Sequence, residues 1–488
     1  MFGKKYLSLF LAALITVSSF SSCSSDEEKQ PSSLDTSAQS EVDEKYSIDL
    51  PSEGYSDKDF VILCEGGPGS FWANDEDILL EEDSDDGVDS AVYKRAQLMK
   101  QDYGINIVLK RSSSTTNDLH TSITSGDNAY NAIFALQSRI TSSAANGDLM
   151  DLYEAENLDM TKGYWDQNIP ELLSISNQLF FTTGDILTME ERASWVLTFN
   201  KDMARARDLP DMYELVKSGE WTLDKFNELI SNVSNDDNGD GIMDHTDTYA
   251  LASHDDNVFG FFYSSGLRFV VKDENDIPIL NTAQSEKILK VMQKTVDIQE
   301  KDDKMINAHD WLSIDSEPER VIRAAFMEDR ALFYAEVLAA AIILRDMDTD
   351  FGILPLPKYD KESEYTTFVN PAGSFVGIPK SEQDRDGGYF ASYALEAMAY
   401  LGYKHITPQF IEKAVKGKTT RDDESVAMLE IIFGNRTYDL GLICDFGNVS
   451  SAYSTAANSG VASLTSVFVR NKKRAENEIA DFIEKIEK

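Results

Sequence analysis

Cysteine is nearly absent: the 488 residues hold three, Cys23, Cys64 and Cys444. That is too few for a disulfide framework, so an apolar core must hold the fold. Cys64 and Cys444 sit in apolar runs and read as small core residues. Histidine is almost as scarce. The five present, His120, His245, His254, His309 and His405, show neither His-Glu-x-x-His nor His-x-His spacing, which excludes the common zinc motifs. No Gly-x-Ser-x-Gly elbow occurs, so the sequence offers no hydrolase nucleophile of that kind. Positive charge is short as well. The balance of 45 Lys and Arg against 85 Asp and Glu leaves a net charge of −40, the wrong sign for nucleic acid or an anionic bilayer face. Long apolar runs are missing except Tyr6 to Val17, which is too short to anchor across a bilayer.

What is present is a long globular chain, 42% hydrophobic and 10% aromatic, and 488 residues exceed what one core organises, so two or more domains are expected. Residues 1–22 read as a signal peptide, with Lys4-Lys5 as its charged start and Tyr6 to Val17 as its apolar centre. The stretch Phe20-Ser-Ser-Cys23 looks like a bacterial lipobox with Phe20 in place of the usual Leu. Cys23 is therefore the expected lipidation site, and a lipid anchor the expected and sole contact with the membrane, on the extracellular face of a bacterial cytoplasmic membrane. Residues 23–58 are mostly Ser, Asp, Glu, Lys and Pro, a composition that reads as a disordered tether.

Folding is expected to start with the buried-strand run Phe60-Val-Ile-Leu-Cys64. The following Glu65-Gly-Gly-Pro-Gly-Ser70 lacks the spacing of a nucleotide-binding loop and reads as a turn at the strand's carboxyl end, where open α/β sheets place ligands. The nine carboxylates between Asp75 and Asp89 read as a solvated loop. A helix from Asp89 to Tyr103 stopped by Gly104, a strand Ile105–Leu109, a helix over 117–125, a strand Ala132–Leu136 and a helix through Ala145 complete a βαβαβ unit, which demands a parallel sheet covered by helices. Further on come a strand at Trp195–Asn200 and a helix N-capped by Thr222. The stretch from Ala324 to Lys380 organises the rest. Ala331-Leu-Phe-Tyr-Ala-Glu336 reads as a buried strand running into the helix Val337–Arg345, Phe351–Pro357 as a strand whose prolines put its end at a sheet edge or exit, and Phe368–Pro379 as a hinge crossing. Helices are expected from Phe390 to Tyr403, up to Phe433 behind a cap at Thr420–Ser425, and from Arg474 to Glu487.

The order "ALFYAE", "FGILPLPK", "SFVGIPK", preceded by "WVLTFNKDMARARDL" and "WTLDKFNELI", resembles the extracellular solute-binding proteins of ABC importers, specifically the family 1 sugar-binding group. The segments "DGVDSAVYKRAQLMKQDYGINI" and Ile406–Gly447 are similar to its clostridial-type members. The resemblance covers Asp59 to Lys488. It implies a periplasmic-binding-protein-like α/β fold: two lobes, each with a mostly parallel central sheet flanked by helices. Lobe 1 would take 59–191 and 375–403, and lobe 2 would take 192–374 and 404–488. It also implies a monomer that captures a carbohydrate, an oligosaccharide in particular, between the lobes and hands it to permease subunits. The alternatives are a surface glycan-binding protein without a transport role and a binder of peptides or other small polar solutes.

Sugar sites pair aromatic faces with carboxylates and amides. In this family they sit on loops at strand ends, which here points to Trp72, Asp75, Gln137, Trp195, Tyr334, Glu336 and Asn370. Core packing is the competing role for each aromatic. Carboxylate pairs are too abundant to single out a glycosidase site, so no catalytic residue is expected. Asp236-Asp-Asn-Gly-Asp-Gly-Ile-Met-Asp-His-Thr-Asp247 fits a calcium loop, with oxygens from Asp236, Asn238, Asp240, the Ile242 carbonyl, Asp244 and Asp247, the last a shorter carboxylate than the usual Glu. Without a flanking helix pair, calcium would be a structural staple. An ion-free acidic turn is the alternative.

Overall fold

The computed structural model describes residues 44–66, 72–282, 285–300, 303–415, 422–459 and 464–486. The expected signal peptide, Cys23, residues 67–70 of the glycine-rich turn, Phe71 and Thr420-Arg421 lie outside them. Folded chain begins earlier than expected. Residues 44–57, placed in the tether by composition, lie on the first lobe: Tyr46 stacks on Tyr403 with ring centroids 4.5 Å apart, Gly163 N–H donates to the Lys45 carbonyl, and Tyr55 packs edge-on against Phe390. Tyr46, Ile48, Leu50 and Tyr55 supply enough apolar surface to dock a segment whose average composition is polar.

β1 (Lys58–Glu65) is buried at Phe60, Ile62, Leu63 and Cys64, as a strand covered on both faces must be. α1 (Gly87–Tyr103) starts two residues before the expected Asp89, because the Asp86 carboxylate accepts from the Val88 and Asp89 N–H groups and caps it. Gly104 ends α1 at φ 68°, and a Cβ there would lie 1.6 Å from the Tyr55 carbonyl oxygen, so only glycine fits. β2 (Ile105–Ser112), α2 (Thr115–Ser125), β3 (Ala132–Leu136) and α3 (Gln137–Ala145) complete the βαβαβ unit. The second sheet uses β4 (Trp195–Asn200), β5 (Tyr249–Ser253), β6 (Met305–Asn307), β7 (Ala331–Val337) and β8 (Phe351–Leu354). Pro355 stops β8 at that sheet's edge. Between β4 and β5, the Thr222 hydroxyl caps the helix Leu223–Ile230 as expected. β9 (Thr367–Phe368), β10 (Ser374–Gly377) and β11 (Arg436–Thr437) lie where the chain passes between the lobes.

The first sheet has the order β10-β3-β1-β2 and the second β8-β4-β7-β5-β6. β1 pairs parallel with β2 and β3, and β5 parallel with β6 and β7. β10 runs antiparallel to β3, and β4 antiparallel to β7. The exceptions have one cause. A strand arriving from the other lobe starts at the edge facing that lobe, where the parallel strands end, so it must run against them. The carboxyl ends of β1, β2, β3, β5, β6 and β7 therefore all lie along the edges joined by the crossings.

Two apolar cores form, one around each sheet. Residues 404–488, expected wholly in the second lobe, divide between them. Ile406 to Ile432 and Tyr453 to Ala457 pack in the second core, whereas Tyr438 to Val449 and Ala475 to Ile486 pack in the first. The last helix, Leu464–Ile486, brings the chain back to the first lobe and begins ten residues before the expected Arg474. Cys64 and Cys444 are free thiols.

Candidate functional site

At the carboxyl end of β1, Glu65 accepts from the Thr115 hydroxyl at 2.6 Å and forms an ion pair with Arg139 at 2.9 Å. Arg111 at the end of β2 pairs with Asp75 at 2.6 Å. Trp72, half-buried in the loop after β1, packs against apolar residues of both cores, so it stands at their junction. On the facing edge, His254 follows β5 and its Nε2 lies 2.8 Å from Glu336 Oε2 at the end of β7. Burial works against the imidazolium, but the Glu336 carboxylate outweighs it and carries His254 up to about 9, so the imidazole is protonated at neutral pH. Asp255 accepts from Asn307 Nδ2 at 2.6 Å, and Trp311, Leu312 and Ile314 follow β6, the last two about half exposed. Side chains at the two edges are thus largely charge-paired within their own lobe.

The expected ligand residues separate into three groups. Trp72, Asp75 and Glu336 lie at the strand ends. Trp195 and Asn370 lie in the crossings, and Gln137, at the end of β3, is tied to the second of them. Gln137 N–H donates to the Gly373 carbonyl, Asn370 N–H donates to the Ala193 carbonyl, and the Trp195 ring sits 5.2 Å from His254 and 5.8 Å from Phe368. Tyr334 takes its core role: it is 1% exposed and packs on Phe326 at 5.7 Å, beneath the edge that Glu336 occupies two residues on. Sequence reasoning missed Glu65, Arg139 and His254. The signal available was their place just after a strand, in "LCEG", "ALQSR" and "LASH".

Three of the segments that pass between the lobes, Ala193–Trp195, Phe368–Ser374 and Asn435–Tyr438, run side by side. They are laced together. Ser194 bridges Val369, Thr367 N–H donates to the Asn435 carbonyl, β9 pairs with β11, and Leu338 N–H donates to the Ser194 carbonyl. Under them lies a buried charge cluster. Arg436 contacts Asp166 at 3.0 Å and Glu191 at 2.5 Å, and the Tyr438 hydroxyl donates to Asp166 at 2.9 Å. Asp185 accepts from Thr407 at 2.6 Å, and Glu190 is fully buried beside Glu191. One guanidinium thus faces four acids. Burial and the Glu191 charge push Asp185, which keeps partial solvent contact, up to about 7, and burial also raises Glu190 and Glu191.

The loop over 236–247 is closed by its own side chains: Asp236 accepts from the Gly239 and Gly241 N–H groups, Asn238 from Asp240, Asp240 from Ile242 and Asp247 from Asp237 and Asp244. Among the described residues no group of three or more His, Cys, Asp or Glu side chains is drawn together as metal ligands. The donor set is nonetheless all oxygen, which is what calcium takes.

No protein-family model and no curated protein matches the chain. Solved structures do. A cyclo/maltodextrin-binding protein complexed with maltotetraose superposes with a TM-score of 0.52 at 13% identity, over 90% of this chain and 98% of its own. The maltose/maltodextrin-binding domain MalE from Bdellovibrio bacteriovorus, bound to maltotriose, gives 0.51 at 13% over 86% and 100%. UspC from M. tuberculosis gives 0.54 at 11% over 86% and 99%. Identities this low speak to architecture: the chain has the two-lobed, periplasmic-binding-protein-like α/β fold of these proteins.

Proposed function

We propose that this chain is the saccharide-binding component of an ABC importer, a binding protein and not an enzyme. The observation that carries the reading is the meeting of both sheets' carboxyl edges at three crossings, with Trp72 touching both cores there. Ligands of open α/β sheets bind outside such edges. Similar folds hold maltotetraose and maltotriose. Closure is the mechanism: a ligand that contacts both lobes favours their closed arrangement by its differential affinity, and the closed form is what permease subunits receive. In this reading the monomer is held at the extracellular face through a lipid on Cys23, and calcium staples the loop over 236–247.

Titration calorimetry with maltotriose, maltotetraose and other neutral oligosaccharides tests the function. A binder should lose roughly tenfold or more in affinity on Trp72→Ala, since a stacking tryptophan contributes about 1–3 kcal/mol. A panel without any binder refutes the saccharide reading. Fatty-acid labelling of wild type and Cys23→Ser tests the anchor: label on both rules it out.

A further inference from the structure

Close by Trp195, the second crossing carries a buried polar pocket that packing alone does not explain. Gln137 is 1% exposed and its Nε2 has no hydrogen-bond partner. Glu190 is fully buried and neither carboxyl oxygen has a partner. The Thr183 hydroxyl stands close enough to Glu190 to favour its charged form but makes no hydrogen bond of full geometry. Buried polar atoms are almost always satisfied, by protein or by ordered water, because each orphan costs about 1–3 kcal/mol. Several at one place point to a missing occupant.

Gly373 shows how near the orphaned groups stand to one another. A Cβ on Gly373 would lie 3.0 Å from Gln137 Nε2, 3.1 Å from Glu190 Oε1 and 3.3 Å from the Asn370 carbonyl oxygen. The amide nitrogen and the carboxyl oxygen therefore stand within about 6 Å of each other, a gap one oxygen atom spans with two ordinary hydrogen bonds. A side chain at 373 would press on both groups, so glycine is what lets them close in here. Asn74, also fully buried, reaches the neighbouring Ser374 hydroxyl and keeps its own Oδ1 unpartnered.

The rim chemistry selects the occupant. Gln137 Nε2 only donates and the Asn370 carbonyl only accepts. Burial beside Glu191 holds the Glu190 carboxyl well above its usual range, so it is a neutral acid that both donates and accepts. A cation would find one amide donor against it, and an anion would meet the Asn370 carbonyl. A neutral group that gives one hydrogen bond and takes another fits all three.

We propose that Gln137, Glu190 and Gly373 form a cradle for a single neutral hydroxyl oxygen at the lobe crossing, supplied by a bound water or by a hydroxyl of the ligand. The two sources differ in consequence. A water would tie the second crossing to the end of β3 with or without ligand, while a ligand hydroxyl would link the deepest point of the cleft to the hinge.

High-resolution crystal structures of the full chain without ligand and with maltotetraose, together with Gly373→Ala and Glu190→Gln, test the cradle. Wild type should show an oxygen within 3.2 Å of both Gln137 Nε2 and Glu190 Oε1 in at least one of the two crystals. Present in both and bonded to no sugar, it is water. Contributed by the sugar, it is ligand, and Gly373→Ala should then weaken maltotetraose binding at least tenfold. Glu190→Gln, a neutral near-isostere, should keep the oxygen and the wild-type melting temperature. The ligand-free crystal and the melting curves of Gly373→Ala read the water form even if no saccharide binds, so failure of the saccharide reading is separable. An empty cradle in both crystals, or a higher melting temperature for Gly373→Ala as its methyl fills a dry void, overturns the proposal.

Discussion

Arg436→Met puts the hinge to a quantitative test. Arg436 is 8% exposed, contacts both Asp166 and Glu191, and faces four acids beneath the crossings. Methionine keeps much of the volume and removes the charge. Breaking a buried pair by deleting one partner costs about 3–5 kcal/mol, because the other partner is left buried and uncompensated. For a cooperative unit of ~150–250 residues, roughly 2–4 °C of melting temperature is lost per kcal/mol, so the variant should melt about 6–20 °C lower at pH 7.5. The sign with pH follows from the acids. Burial already raises Glu191, and Arg436 is the largest effect opposing that rise. Without Arg436, Glu191 takes up a proton on folding, so stability is present at low pH and is lost as pH rises through its raised value. The deficit should therefore be larger at pH 8 than at pH 5.5, and adding Glu191→Gln should recover part of it. Differential scanning calorimetry at the two pH values checks this. A drop below about 1 °C, or the same drop at both, would refute the reading of Arg436 as the counterion of the crossings.

Asp185→Asn should flatten the pH dependence of melting. Its folded-state carboxyl titrates near 7, above its unfolded value, so wild type gains from this group in acid and loses that gain as pH rises toward 8, where the variant should be the more stable of the two. His254→Gln acts on the other side of neutrality. The imidazolium paired with Glu336 stabilises the fold below pH ~6.5 and is lost as pH rises through about 9, so wild type should weaken between pH 7.5 and 9.5 and the variant should not. Chelator should lower the melting temperature of wild type, and Asp240→Ala should abolish that difference. Identical melting curves with and without chelator exclude the calcium staple.

The sheets were legible because their strands are short buried runs rich in apolar and aromatic residues: Phe60–Cys64, Ala132–Leu136, Trp195–Asn200 and Ala331–Glu336 all fall inside observed strands. Caps that act over three residues were legible too, as Thr222 and Gly104 illustrate, while Asp86 was obscured by eight neighbouring carboxylates, any of which could cap. The strand-end loops came through by position, and that is why Trp72, Asp75 and Glu336 were expected at the strand ends where the structure has them. Tyr334 was not separable from them. An aromatic near a strand end reads alike whether its ring faces the core or the edge, and β7 buries every one of its residues, so no alternation betrays the face.

The polar machinery of the crossings was illegible for a different reason. Arg436 meets Glu191 across 245 residues of sequence and Tyr438 meets Asp166 across 272, so no local spacing records either pairing. Nor could composition help. In a chain with 85 acidic residues, four destined for burial look like any others, and only the fold decides which of them lose water. The direction of the crossing strands supplies the missing link. Because β4 and β10 must begin at the edges where the parallel strands end, the residues just before them, Glu190, Glu191 and Gly373, are carried to the junction whatever their chemistry. Topology therefore places carboxylates and a glycine under the hinge, and their neighbours, Arg436, Gln137 and the Asn370 carbonyl, determine what those groups can hold.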